Sequence, residues 1–258
     1  MWRAQGGVED IAQDWTPLVL SPIVIAGWRS FIEKYNVTGF ADLYRNAVGG
    51  VDFKYGHPDP QLSNGGTMVA ILEFAEAAGK KPEDLSTDEL KRANVLDFVR
   101  TIESKAVMYG ESTGFFGAWA AENGPGAISL FGVYENIVIE NSLKAKRKWN
   151  DPVVAVYPKE GTLLSDHPFV ILNAEWVGKW ERFAAGQYLL YLLKDDVQGL
   201  AQKHGFRPAN PSVPLDQNIF SVENGVQCEL TVPVLKPLQG EVMKTLLTAW
   251  VAVRNPGI

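Results

Sequence analysis

The sequence predicts an α/β protein with a largely parallel sheet, on three observations. Short apolar, β-branched runs such as residues 16–26 and 153–156 alternate with longer stretches of helical periodicity. Loops rich in Gly, Pro, Ser and Asn separate the two kinds of segment. With 46% hydrophobic and 21% charged residues over 258 positions, the chain has enough apolar material to bury a core of that kind.

The elements follow in order. Residues 16–26 read as one or two buried strands. Residues 38–48 open on Thr38 as N-cap and carry Phe40, Leu43, Tyr44 and Ala47 at helical spacing. A short strand at 51–55 runs into the loop signal Gly56-His-Pro-Asp-Pro. Residues 66–78 form an amphipathic helix, with Gly79 placed to cap its end. Ser86-Thr-Asp-Glu is a capping box for a long helix reaching Ala106. A helix at 115–122 stops at Asn123-Gly-Pro-Gly, and a strand at 127–130 precedes a helix at 133–147. Strands at 153–156 and 168–172 read as partners, followed by helices at 179–193 and 195–204. Residues 205–237 are weakly patterned, and a helix at 240–253 closes the chain.

Composition narrows the function. The chain has 24 basic and 30 acidic side chains, a net charge of −6, so it lacks the positive field a general nucleic-acid binder needs. One cysteine, Cys228, excludes an internal disulfide. The longest apolar run, 17–28, is broken by Ser21, Pro22 and Gly27 and does not read as a membrane span. The first residues, Met1-Trp-Arg-Ala-Gln-Gly-Gly, show no apolar signal-peptide core.

Two loops carry chemistry. In His57-Pro-Asp-Pro-Gln-Leu-Ser-Asn-Gly-Gly-Thr, the side chains of Ser63, Asn64 and Thr67 supply donors. Gly65 and Gly66 let the backbone approach a ligand at a helix start whose N–H groups are unpaired. Tyr109-Gly-Glu-Ser-Thr-Gly has the same design, with Ser112 and Thr113 at another helix start. Both suit a carboxylate, an oxyanion or a hydroxyl-rich ligand, and both also serve as ordinary N-caps. Tyr134, Glu135, Glu160 and Thr162 lie near strand ends and are candidates for contacting ligand hydroxyls or a cation. The glycines follow neither the dinucleotide fingerprint nor the phosphate-loop pattern. No GxSxG elbow and no HExxH or CxxC spacing is present, so neither a metal nor a cofactor is expected.

Several of these motifs, in this order, resemble a family. Ser21-Pro-Ile-Val-Ile-Ala-Gly-Trp, Gly56-His-Pro-Asp-Pro-Gln-Leu-Ser-Asn-Gly-Gly, Tyr109-Gly-Glu-Ser-Thr-Gly-Phe-Phe, Tyr134-Glu-Asn, Tyr157-Pro-Lys-Glu-Gly-Thr-Leu-Leu-Ser-Asp-His-Pro and Gly205-Phe-Arg-Pro carry the likeness. The chain is similar to bacterial extracellular (periplasmic) solute-binding proteins of the type 2 periplasmic binding fold, in the branch often linked to von Willebrand factor A domains. The resemblance implies two α/β lobes joined by crossover strands, with a small polar or anionic solute held between them, without catalysis, for ABC-type uptake through a membrane permease. It implies a periplasmic or extracellular location. Family members carry an export signal and more of the first lobe ahead of the segment matching 17–28, so the first lobe is expected to be incomplete. The resulting division is 1–27 as first-lobe remnant and crossover strand, 28–130 as second lobe, and 131–258 as crossover return and C-terminal part of the first lobe. Self-association through the incomplete lobe is expected with it. Two readings from other classes compete: an enzyme using His57, Asp59 and Glu135 or Glu160, and a protein-interaction module that binds no solute.

Overall fold

In the computed structural model, which describes residues 11, 12 and 14–254, the longest strand is β2, Val19–Trp28, following the short β1, Trp15–Pro17. The opening stretch, residues 1–7, and anything after Arg254 lie outside the described residues. Every residue of β2 from Ser21 to Trp28 is buried, which explains a continuous apolar run in place of alternation.

The described residues form two compact units, one of residues up to 21 with 166–216, the other of 22–165 with 217–254. Residues 131–165 and 217–254 group with 22–130, whereas the family resemblance assigns them to the first lobe.

The first unit is small. β1 pairs antiparallel with β7, Pro168–Val170, and the start of β2 pairs with β8, Arg207–Pro208. Two helices belong to it, α7 (Lys179–Leu192) and α8 (Asp195–Gln202). α7 has no buried residue, and Trp180 and Phe183 are 75% and 61% exposed.

The second unit holds the core. β2 is flanked by β5 (Leu130–Tyr134) and β6 (Val153–Val156), both antiparallel to it, with Ile25 opposite Gly132 on one side and Val156 on the other. This corrects the expectation of a largely parallel sheet and of a 153–156/168–172 pair: the chain returns to β2 from both sides against its direction. β3 (Tyr55–Pro58) pairs in parallel with β4 (Ala106–Gly110), the two connected through α3 (Asn64–Ala78) and α4 (Ala93–Glu103). α3 is mostly apolar around its circumference and buried from Gly65 to Ala75 apart from the half-buried Thr67. α1 (Arg29–Tyr35), α2 (Phe40–Val48), α4 and the C-terminal α9 (Gly240–Arg254) complete the layer around it, with Phe40, Leu43, Leu90, Val99, Leu246 and Trp250 in the shared core. α5 (Thr113–Asn123) and α6 (Glu135–Trp149) lie beyond β5. Among the described residues no helix is long and apolar enough to cross a membrane.

Local signals resolve as follows. Gly79 caps α3 with φ 63°, the left-handed conformation that glycine adopts without strain. Ser86 donates its N–H and hydroxyl to Glu89, but this box caps a single 3-10 turn, Glu89–Lys91, before α4 begins at Ala93. Thr38 does not cap α2; it donates its N–H and hydroxyl to Asp42 Oδ2, at 2.6 Å each, and Gly39 takes the cap position.

Candidate functional site

The loop before α3 is built on Asp59. Its N–H donates to Gly110 O at 2.8 Å, joining the end of β3 to the end of β4. Its carbonyl accepts from Leu62 and Ser63, and its carboxylate accepts from Gln61 N–H and from Arg254. Thr67 closes the loop by donating its hydroxyl to Pro60 O at 2.7 Å and its N–H to Ser63 O at 3.0 Å. Thr67 is therefore engaged in shaping the loop. The N–H groups of Asn64, Gly65 and Gly66 precede this first helical bond. Ser63 occupies the cap position with no bond from its side chain to the helix.

The second loop reaches the same place. Ser112 caps α5, its Oγ accepting from Phe115 N–H at 3.2 Å. Thr113 is buried, and a Cβ added to Gly65 would stand 2.5 Å from its Cγ2 and 3.4 Å from the Tyr134 ring. Only glycine lets α3, α5 and the end of β5 come this close. Asn64 Nδ2 donates to Tyr134 Oη at 3.0 Å, and burial, opposed by bonds to Ser165 and Asn64, pushes the Tyr134 phenol up. Ser63, Asn64, Gly65, Ser112, Thr113 and Tyr134 thus gather around two helix N-termini. Gly66 serves the frame, since a Cβ there would lie 2.0 Å from Pro58 O.

The other sequence candidates turn inward or lie apart. Glu135 opens α6 and is wholly buried, its carboxylate accepting the Tyr157 hydroxyl. Thr162 is wholly buried and donates its hydroxyl to Ile23 O at 2.6 Å, bracing β2. Glu160 stands against Gly39 in a cavity of about 300 Å³ lined also by Phe40, Leu72, Glu76 and Leu235. Glu76 is about 18 Å along α3 from its start at 1.5 Å per residue, so this cavity is separate from the two loops. Burial pushes the Glu160 carboxyl up. His57 is wholly buried inside β3, not in a loop. Sequence reasoning missed Glu73 and Glu103, buried carboxylates on α3 and α4 that face His57. The available signal was an acidic residue set among apolar neighbours, as in Ile71-Leu-Glu-Phe-Ala.

A family model described as "Bacterial extracellular solute-binding protein" matches residues 3–207. The chain belongs to that family. This solute-binding chain also shares its fold with solved structures of low sequence identity. One is an ABC transporter from Clostridium perfringens, 18% identical, TM-score 0.64, matched over 98% of this chain and 71% of the other. Another is the Bordetella ferric binding protein, 17% identical, TM-score 0.60, over 99% and 79%. A third is an ABC transporter solute-binding protein from Thermotoga lettingae bound with α-D-tagatose, 14% identical, TM-score 0.62, over 93% and 66%. No curated protein matches the chain.

Proposed function

We propose that this member of the solute-binding family captures a small polar or anionic solute at the α3 and α5 N-termini beside Tyr134, without chemical turnover, and delivers it to a membrane permease of the ABC type. The location that goes with this role is periplasmic or extracellular. The observation that carries the reading is the approach at Gly65, which sets two helix starts, the Asn64 amide and the Ser112 and Tyr134 hydroxyls around one point. The enzyme reading draws less support, because His57 and Glu135 are sealed in the interior and bonded to frame residues. In this proposal Glu135 and Thr162 hold the frame, and Glu160 belongs to the separate cavity.

A second reading has its own observation. The aromatic face of α7, with Trp180, Phe183, Tyr188 and Tyr191 all at least half exposed, favours self-association through the first unit.

A thermal-shift panel of inorganic phosphate, sulfate, amino acids and simple sugars tests the solute reading. A ligand at a hundred times its Kd stabilises by about 2.7 kcal/mol. At this chain length that is a rise of roughly 5–10 °C. The rise should shrink in Asn64→Ala and Ser112→Ala; a ligand that shifts all three proteins equally binds elsewhere and refutes the assignment.

A further inference from the structure

Tyr55 and His57, two apart on β3, point to the same side and meet α3, α4, β4 and α9. His57 and Glu73 are fully buried and Glu103 is 5% exposed. The bonds can be followed atom by atom. His57 Nδ1 lies 2.8 Å from Pro58 O, and Nε2 lies 3.0 Å from Glu103 Oε1. A carbonyl and a carboxylate are both acceptors, and a neutral imidazole has a single N–H. Only the doubly protonated ring satisfies both.

Glu103 is the matching anion. Its Oε1 also accepts from Trp250 Nε1 at 2.6 Å, and its Oε2 accepts from the Tyr109 hydroxyl at 2.8 Å. Glu73 Oε1 accepts from the Tyr55 hydroxyl at 2.8 Å, while Oε2 is buried with no other donor. A ring nitrogen of His57 and one carboxyl oxygen each of Glu73 and Glu103 lie within 4.8 Å of one another. Two carboxylates this close in a dry interior do not both ionise, so Glu73 carries a proton. The remaining groups packed around them are Arg254 of α9, 4.2 Å above the Tyr109 ring, with Gly132 of β5 and Phe116 of α5 contributing no charge.

The cluster touches both candidate ligand loops. Pro58 O receives the His57 Nδ1–H and is also the atom against which Gly66 at the start of α3 packs. Tyr109 leads directly to Gly110, which holds Asp59, and to the Ser112 cap of α5. Arg254 ties α9 to the same Asp59 at 3.2 Å.

We propose that His57, Glu103 and Glu73 form a net-neutral clasp, holding two protons more than a neutral His with two carboxylates, that positions the loops opening α3 and α5. Put as an inventory, the imidazolium carries +1, Glu103 carries −1 and Glu73 is a neutral acid. The clasp rests on the site assignment above for its link to solute binding, but its existence does not. Burial lowers the affinity of His57 for a proton, yet the Glu103 carboxylate and its bond outweigh this and raise the ring to about 9. Burial, then the Glu103 charge, drive Glu73 well above the usual carboxyl range, and Glu103 is held below it by His57 and the Tyr109 and Trp250 bonds. The sign follows: His57 contributes stability that is complete below its ordinary value near 6.5 and lost as pH rises through about 9.

The test needs no ligand. Imidazole ¹⁵N spectra of the wild-type protein should show His57 doubly protonated at pH 7.5. Amide hydrogen exchange at residues 64–66 and 113–115, corrected for its intrinsic pH dependence, should accelerate at least tenfold once the ring is neutral. Glu73→Gln, which has the shape of the neutral acid and no charge, should leave Tm within a few degrees. Glu103→Gln should lower Tm and speed loop exchange tenfold or more. A neutral His57 at pH 7.5 overturns the clasp even where a variant fails to fold. So does a Glu73→Gln variant as damaged as Glu103→Gln, or a Tm rise with zinc chloride that Glu73→Gln abolishes. Solute binding lost with the clasp intact would instead count against the site assignment alone.

Discussion

Gly65 gives the sharpest perturbation. Replacing it with Ala sets a methyl 2.5 Å from Thr113 Cγ2, about 0.9 Å inside the 3.4 Å it keeps from the Tyr134 ring. Overpacking of this kind costs about 1–3 kcal/mol. Ala in the first turn of a helix recovers up to ~1 kcal/mol relative to Gly. The net loss falls between about 0 and 3 kcal/mol, centred on ~1.5 kcal/mol, which is a fall in Tm of roughly 3–6 °C at this chain length. Gly114 is the control: it also lies in a helix first turn, and nothing stands within 4 Å of its added Cβ, so Gly114→Ala should be neutral or slightly stabilising. Thr113→Ser removes the offending methyl and keeps the hydroxyl. The double variant Gly65→Ala, Thr113→Ser should therefore recover most of the loss, with a coupling of about 1 kcal/mol in a urea-melt cycle. Additive effects, or a Gly65→Ala protein as stable as Gly114→Ala, would refute the close approach of the two helix starts.

Other outcomes follow from the same geometry. Ser112→Ala should cost about 0.5–2 kcal/mol in urea melts, because it removes the bond to Phe115 N–H, whereas Ser63→Ala, with no such bond to lose, should leave the midpoint nearly unmoved. Lys80, the Ser86 N–H and the Ser86 hydroxyl together draw Glu89 down to about 2 against the effect of burial. Its contribution to stability is present above its ordinary value near 4.5 and lost as pH falls toward 2, so Glu89→Gln should flatten the acid limb of a stability curve in that window. If α7 mediates self-association, Trp180→Ser with Phe183→Ser should lower the mass seen by light scattering at high protein concentration; an unchanged mass removes that face from consideration.

Local signals proved legible where the physics is local. The strand at 153–156, the Gly79 cap and the Ser86–Glu89 bonds rest on turn chemistry and spacing within a few residues and lie where the sequence puts them, although the Ser86 box opens a 3-10 turn and not the long helix. Both loops read as candidates do open helices, since Ser, Asn and Gly before an apolar periodic run mean the same thing at short range. Strand β3 was placed four residues early because Gly56-His-Pro carries loop composition. What buries His57 there is Glu103, 46 residues away, and no window on the chain contains both. The same holds for Thr162, whose hydroxyl goes to Ile23, and for the direction of β2, which depends on strands that return to it much later.

Glu135 has a consequence for what the protein can carry. Three helices begin around Tyr134, and α6 already has its own carboxylate in the first turn. Each helix start is equivalent to roughly half an elementary positive charge. The two without a built-in acid, α3 and α5, sum to about one. On the proposed reading, a solute with a single negative charge would bring this face close to electrical balance. A doubly charged one would have to arrive with a counter-cation or a proton, so a site of this kind would sort solutes by valence as well as by shape.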